Sequence, residues 1–159
     1  MLSMKFKIVA VGKIKESYLR DAIVEYSKRI SRFATVEIVE IDECLSKSAQ
    51  TEKEIERVKQ QEGESILPKL EGYVVAMDID GELVSSVRLS KCIREQKQYN
   101  STFTFVIGGS NGLSDEVKRR ADFRCSFGKI TLPHQLFRVV LLEQLYRACC
   151  IEYNVPYHK

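Results

Sequence analysis

The residues best placed to do chemistry are three glycines at the end of an apolar run, Phe103-Thr-Phe-Val-Ile-Gly-Gly-Ser-Asn-Gly112. The run is aromatic and β-branched, which suits a strand covered on both faces. It stops at Gly108 and Gly109, with Gly112 three residues on, and Ser114 followed by Asp115 and Glu116 reads as an N-cap with an acidic first helical turn. Such a strand–turn–helix junction is where α/β proteins place ligands. The glycines have two readings: a tight turn needing positive φ, or backbone approaching a bound molecule too closely for a Cβ. The spacing G-G-x-x-G is not the dinucleotide G-x-G-x-x-G, and no G-K-[ST] follows to make a P-loop.

Other reactive side chains are sparse. The five cysteines, Cys44, Cys92, Cys125, Cys149 and Cys150, contain no C-x-x-C, which points to buried thiols in a reducing compartment. The chain has two histidines, His134 and His158, so no metal site is expected. At 159 residues with 44% hydrophobic and 30% charged side chains, the expectation is one globular domain, residues 1–159, with residues 1–3 as an unstructured extension before an alternative start at Met4. No apolar run is long enough to span a membrane and no signal-peptide core is present, so a cytoplasmic protein is expected. Net charge is +3 but uneven: residues 1–33 hold eight Lys/Arg against three Asp/Glu, and residues 34–71 hold five against ten. This is compatible with one face meeting a polyanion, and equally with an ordinary solvated surface.

Strands and helices alternate around these features. Strands are predicted at Lys5–Gly12, Thr35–Ile41, Tyr73–Ile79, Phe103–Ile107 and Phe123–Phe127, with Asp80-Gly81 as a turn closing the third. Helices are predicted from Ser17 as cap to about Phe33, from a Thr51/Glu54 capping box to Ile66, from Ser85 or Ser86 to about Tyr99, over Asp115–Arg120, and from His134 to Cys150. Asp42–Gln50 reads as a long loop. The pattern implies an α/β fold with a mostly parallel sheet and helices on both faces. The last helix is apolar nearly all round, so it is either enclosed within the chain or pressed against a second copy; a homodimer is favoured, with Leu141 and Leu145 as interface positions.

Three segments carry a resemblance that spans essentially the whole chain: Phe105-Val-Ile-Gly-Gly-Ser-Asn-Gly-Leu113, Thr131-Leu-Pro-His-Gln-Leu-Phe-Arg-Val-Val-Leu-Leu-Glu-Gln-Leu-Tyr-Arg-Ala148, and the closing Pro156-Tyr-His-Lys159. The opening Val9-Ala-Val-Gly-Lys13 adds to it. Together they resemble the bacterial 23S rRNA pseudouridine N3-methyltransferases of RlmH type, in the SPOUT superfamily. The resemblance implies a C-terminal trefoil knot, one of the few exceptions to unknotted topology. It also implies a homodimer and an S-adenosylmethionine pocket at Met77, Gly108, Gly109 and the loop Phe127, Gly128, Lys129, Ile130, Thr131 and Leu132. The family commonly has leucine at the position of Met77 and serine at that of Gly128; both changes keep a small or apolar wall.

The implied substrate is pseudouridine 1915 in helix 69 of 23S rRNA on the assembled 70S ribosome. N3 of the base is an imide nitrogen, a poor nucleophile until its proton leaves, so cationic donors aimed at O2 or O4 would lower the barrier. The resemblance assigns such roles to Arg147, Tyr157 and His158, with His158 also able to take the proton. Arg20, Lys28, Arg29, Arg32 and Lys159 are the candidate RNA contacts. Two rival readings are a non-catalytic ribosome-associated module, suggested by the basic first third, and a nucleotide-binding enzyme, which the glycine spacing disfavours.

Overall fold

The structure, a computed structural model, describes residues 3–44 and 51–159. The expected extension at Met1–Leu2 and the Leu45–Gln50 part of the expected loop lie outside the described residues. Five parallel strands, β1 (Met4–Val11), β2 (Ala34–Ile41), β3 (Tyr73–Leu83), β4 (Thr102–Ile107) and β5 (Phe123–Ser126), form one sheet in the order β2-β1-β4-β3-β5. The helices are α1 (Ser17–Ile30), α2 (Glu52–Ile66), α3 (Ser86–Gln96), α4 (Asp115–Arg120) and α5 (His134–Glu152). A single 3-10 turn, Leu67–Lys69, follows α2.

The alternation along the central strands dictates two apolar layers. Phe6, Ile8, Phe103 and Phe105 face one side, where they meet Ile23 and Ile30 of α1, Leu89 and Ile93 of α3, and Leu141, Leu142 and Leu145 of α5. Val9, Val11, Val74, Ala76 and Val106 face the other, against Ile66 of α2 and Val117 of α4. The ring of Phe6 meets those of Phe103 and Phe105 edge-on, at 6.2 and 6.0 Å, an arrangement that adds ring–ring attraction to the burial. The helices therefore cover both faces, as the alternating pattern requires.

Local chemistry sets most boundaries. The Thr51 hydroxyl accepts from the Glu54 amide, Ser85 from Arg88 and Ser114 from Val117, so three helix starts are capped where polar residues predicted them. Ser17 is not a cap: Glu16 occupies that position without a side-chain bond, and Ser17 is the first helical residue. Helix α1 ends at Ile30 and α3 at Gln96, each three residues short of the expected end.

Asp80-Gly81 does not close β3. The strand runs on to Leu83, and Met77 and Glu82 both lie opposite Cys125, so Asp78–Gly81 bulges out of the ladder. The Asp80 amide donates to Asp78 Oδ1 at 3.0 Å, an Asx turn, and a Cβ on Gly81 would fall 2.6 Å from the Arg124 carbonyl. The turn chemistry is present, and it makes a bulge rather than a reversal.

Helix α5 lies between α1 and α3 on the sheet. This intramolecular cover encloses Leu141, Leu142, Leu145, Ala148, Cys149 and Cys150. Leu141 and Leu145 are therefore core residues and not interface positions. Near the start of α5, Leu136 remains 38% exposed. Arg138 is buried in the same helix, donating from Nη1 to Glu40 Oε2 at 2.7 Å and from Nη2 to the Gly12 carbonyl at 2.7 Å. It ties α5 to the ends of β1 and β2.

Candidate active site

The carboxyl ends of β4, β3 and β5, adjacent in the sheet, open into a cleft of about 930 Å³. This is where a parallel α/β sheet presents its loops to ligands. Met77, Gly108, Gly109, Phe127, Gly128, Ile130, Thr131 and Leu132 all line it. Lys129 does not: its ammonium reaches outward to Asp80 Oδ1 at 3.4 Å, with both side chains largely exposed. Asp78, His134, Phe137 and Val140, which the sequence did not single out, also line the cleft. The last three recur every third residue over the first two turns of α5, a helix face that follows directly from the loop before it; Asp78 was hidden by reading the end of β3 as a simple turn.

The glycine turn is compact for internal reasons. Neither Gly108 nor Gly109 has positive φ, whereas Gly112 (φ +85°) and Gly128 (φ +129°) do. A Cβ on Gly108 would lie 2.9 Å from the Gly112 carbonyl carbon, and one on Gly109 would lie 3.1 Å from Val11 Cγ1 and 3.2 Å from Glu62 Oε1. The chain itself fills the space a side chain would need. Glu62 is buried there, accepting from the Cys44 amide at 3.0 Å, and burial pushes its carboxyl above the usual range. Gly108→Ala is accordingly expected to open the turn and weaken ligand binding in the cleft at least tenfold, read by calorimetry, with little change in far-ultraviolet circular dichroism. An unaltered affinity would show that the turn's tightness is not required.

The walls combine apolar side chains with main-chain polar groups. Ile130 is 83% exposed and Leu132, 36% exposed, borders the same opening, so two apolar residues present uncovered surface at the rim. Their placement suits a ligand with a flat apolar part. On the opposite side the Asp78 carboxylate, only 6% exposed, lies 3.7 Å from Lys118 Nζ and 3.5 Å from Arg124 Nη1.

The chain's last residues gather elsewhere on α5. Arg147 donates to Glu143 (Nη2 to Oε2, 2.8 Å; Nε to Oε1, 3.3 Å), and the Tyr157 hydroxyl donates to Glu143 Oε2 at 2.7 Å. The Arg147 guanidinium also lies over the Tyr157 ring at 4.6 Å, and its Nη1 is 3.2 Å from His158 Nδ1. Tyr157 meets Tyr146 edge-on at 4.7 Å. The closing residues are docked, so Arg147, Tyr157 and His158 form one cluster. Arg29 joins it, lying over Tyr26 and Tyr146 while paired with Glu25 at 2.7 Å, and Arg32 covers Phe33 nearby. Lys28 and Lys159 are exposed. Arg20 belongs to the opposite end of α1, beside Ile14, and is not brought to the tail.

Within one chain the tail cluster and the cleft are separate. Val140 is the last α5 residue to line the cleft, and Glu143 and Arg147 follow it by three and seven residues, about 4.5 and 10 Å at 1.5 Å per residue; neither they nor Tyr157 and His158 line it.

Two titrations report tail docking. Burial alone would raise the Glu143 carboxyl, but hydrogen bonds from Arg147 and Tyr157 outweigh it and hold it below the usual carboxylate range. Tyr157 is pushed up to about 12, first by its bond to Glu143 and then by burial. The depressed Glu143 stabilises the fold above the ordinary carboxylate pKa and loses that contribution as pH falls through its lower folded value. The raised Tyr157 stabilises it below the ordinary phenol pKa and loses that contribution as pH rises through about 12. Tyrosinate absorbance should show a component near 12 that Tyr157→Phe removes; its persistence in that variant would contradict the docked geometry.

The sequence model of the predicted SPOUT methyltransferases matches residues 4–158 of this chain. The chain belongs to the SPOUT methyltransferase family. Among its SPOUT relatives, ribosomal RNA large subunit methyltransferase H 1 of Clostridium perfringens is 49% identical over 159 residues, covering 98% of this chain and all of the relative. Ribosomal RNA large subunit methyltransferase H of Streptococcus pneumoniae is 48% identical with the same coverage. A solved structure of a probable methylase family protein from Haemophilus influenzae matches with a TM-score of 0.48 and 9% identity, over 100% of this chain and 72% of that one. The SpoU methyltransferase AviRb of Streptomyces viridochromogenes, solved in complex with AdoMet, matches with a TM-score of 0.44 and 10% identity, over 89% of this chain and 56% of that one.

Proposed function

We propose that this SPOUT chain is an S-adenosylmethionine-dependent methyltransferase acting on N3 of a pseudouridine in 23S rRNA of the assembled ribosome, in the cytoplasm, as a homodimer. The observation that carries the reading is the cleft that gathers eight of the nine expected cofactor residues at the carboxyl ends of three adjacent strands. The names of the relatives, nearly half identical over their full length, point to large-subunit rRNA as the substrate class.

The cleft fits the cofactor. Its volume lies within the range of small-molecule sites, Ile130, Leu132 and Met77 offer apolar walls for adenine, and Gly108, Gly109 and Gly112 border it without side chains of their own. Bound there, S-adenosylmethionine would supply an activated methyl group. Among the described residues no three His, Cys, Asp or Glu side chains cluster as metal ligands. The knot belongs to this reading: residues 127–132 and α5 follow β5, and the loop shares the cleft with the Gly108–Gly112 turn, the adjacency that threading the C-terminal segment requires.

The tail cluster supplies what the acceptor needs. Methylation at N3 forms the N–CH₃ bond and releases the imide proton, so negative charge develops at O2 and O4 as that proton leaves. Arg147 keeps N–H groups beyond those it gives to Glu143 and His158, and a donor aimed at such an oxygen is worth orders of magnitude in rate; Tyr157, whose one O–H goes to Glu143, positions the carboxylate and ring that hold Arg147. The same geometry bears on His158. Arginine only donates, so His158 Nδ1 accepts from Arg147, and the neutral imidazole then carries its proton on Nε2. In this geometry His158 is a donor to a carbonyl oxygen rather than a base, and the imide proton passes to solvent. The separation of tail and cleft within one chain is the reason for proposing a dimer: the tail of one protomer closes over the cleft of its partner.

Calorimetric titration with S-adenosylmethionine tests the cofactor. Mass mapping of large-subunit RNA from cells lacking the protein tests the substrate: a single pseudouridine is expected to lose one methyl mass. No heat of binding, or unaltered RNA, would overturn the proposal.

A further inference from the structure

A second concavity adjoins the cleft. Asp115, Lys118, Arg119 and Arg124, from α4 and β5, line a depression of about 360 Å³, and Lys118 lines the cleft as well. The two openings therefore share a wall.

The cations are held from behind by Asp78. Its Oδ1 is occupied by the Asp80 amide, and its Oδ2 is buried without a hydrogen-bond partner, although Lys118 and Arg124 lie within ion-pair range. The buried carboxylate thus attracts both side chains by charge and leaves their N–H donors unspent. Arg119 is exposed and makes no ion pair among the described residues. Facing the depression are three cations and one carboxylate, Asp115 at the start of α4.

Unspent, positioned guanidinium donors match the oxygens of a phosphate diester, which arginine binds through paired N–H groups. Phosphate contacts fix the register of a nucleic acid without reading its sequence. A nucleotide whose base enters the cleft past Lys118 leaves its backbone at the shared wall. We propose that this depression is a phosphodiester site for the RNA bearing the methyl acceptor, an inference that rests on the function proposed above. It is separate from Arg29 and Arg32, which lie near the tail.

The test uses ribosomes purified from cells lacking the protein, with the wild type, the double variant Arg119→Gln/Arg124→Gln, and Arg119→Lys. KM for ribosomes should rise at least tenfold in the double variant, with kcat at saturating ribosomes within about twofold. Between about 50 and 200 mM salt, the dependence of log kcat/KM on log salt should become shallower by roughly 0.7–0.9 for each phosphate that is no longer neutralised. Arg119→Lys should retain most of the activity, and S-adenosylmethionine affinity should be unaltered throughout. An unchanged KM and salt slope in the double variant, beside an active wild type, overturns the phosphodiester site and leaves the proposed function standing. Inhibition of the wild type by inorganic phosphate that the double variant escapes, with KM unchanged, means a free-anion site and likewise overturns it. A wild type that transfers no methyl to these ribosomes removes the proposed function and this inference together.

Discussion

Deleting Tyr157, His158 and Lys159 is expected to lower kcat by three orders of magnitude or more while S-adenosylmethionine affinity stays within about twofold. Position along α5 separates the two effects. The tail docks on the α5 segment Glu143–Arg147, beyond the last cleft residue of that helix, Val140, and no tail residue lines the cleft, so cofactor binding does not need it. The acceptor does need it, because the deletion removes the His158 donor and frees Arg147 from both His158 and the Tyr157 ring. Loss of one donor at a developing anion costs about 10²–10³ in rate, and the deletion removes the His158 donor and takes from Arg147 the contacts that aim its free N–H groups. The fold should tolerate the change: the Arg147–Glu143 pair survives, and the Tyr157–Glu143 bond that disappears is one hydrogen bond to a charged group, worth about 1.5–3 kcal/mol at most. Single-turnover methylation, calorimetry and a melting curve on one preparation separate these outcomes. Full turnover by the truncated chain would remove the tail from the mechanism.

Arg138→Met should destabilise the chain by about 3–4 kcal/mol, the lower part of the range for breaking a buried ion pair. Arg138 is 1% exposed and bridges Glu40 and the Gly12 carbonyl, whereas the Glu40 side chain is 37% exposed and can regain water once its partner is gone. That exposure is why the upper end is not expected. For a domain of this size the loss corresponds to a fall in Tm of about 5–15 °C. Methionine matches the aliphatic stem without the donors, so the effect measures the ties and not a cavity. An unshifted melting curve would show that α5 is held to β1 and β2 by apolar contact alone.

Much of this architecture was legible because local signals agreed with the tertiary outcome. Phe103–Ile107 reads as a doubly covered strand and is one; Thr51 and Ser114 read as caps and Ser85 as one of two candidates, and each accepts a backbone amide three residues on. The legible part stopped where one signal has two structural uses. Asp80-Gly81 carries turn chemistry, yet β5 pairs on both sides of it and converts the turn into a bulge. Apolar character around α5 is satisfied equally by α1 and α3 or by a second protomer, and periodicity cannot choose; Leu141 and Leu145 went to the core. The cleft was readable at its loops through the family resemblance, but Asp78, His134 and Phe137 enter it through a bulge and a helix face that only three-dimensional adjacency reveals. Likewise Gly108 and Gly109 were recognisable as necessary, but not that Gly112, Val11 and Glu62 make them so.

The strand order has a consequence for biosynthesis. β1 is an interior strand, yet one of its two neighbours is β4, with Lys5 opposite Thr102. As the polypeptide leaves the exit tunnel, Phe6 and Ile8 wait for Phe103 and Phe105, nearly a hundred codons later, with only β2 available as an early partner. Sheet completion is therefore essentially post-translational, and a parallel topology built on such distant pairings assembles slowly. A chaperone that shields the amino-terminal half during translation would be expected to raise the yield of native protein.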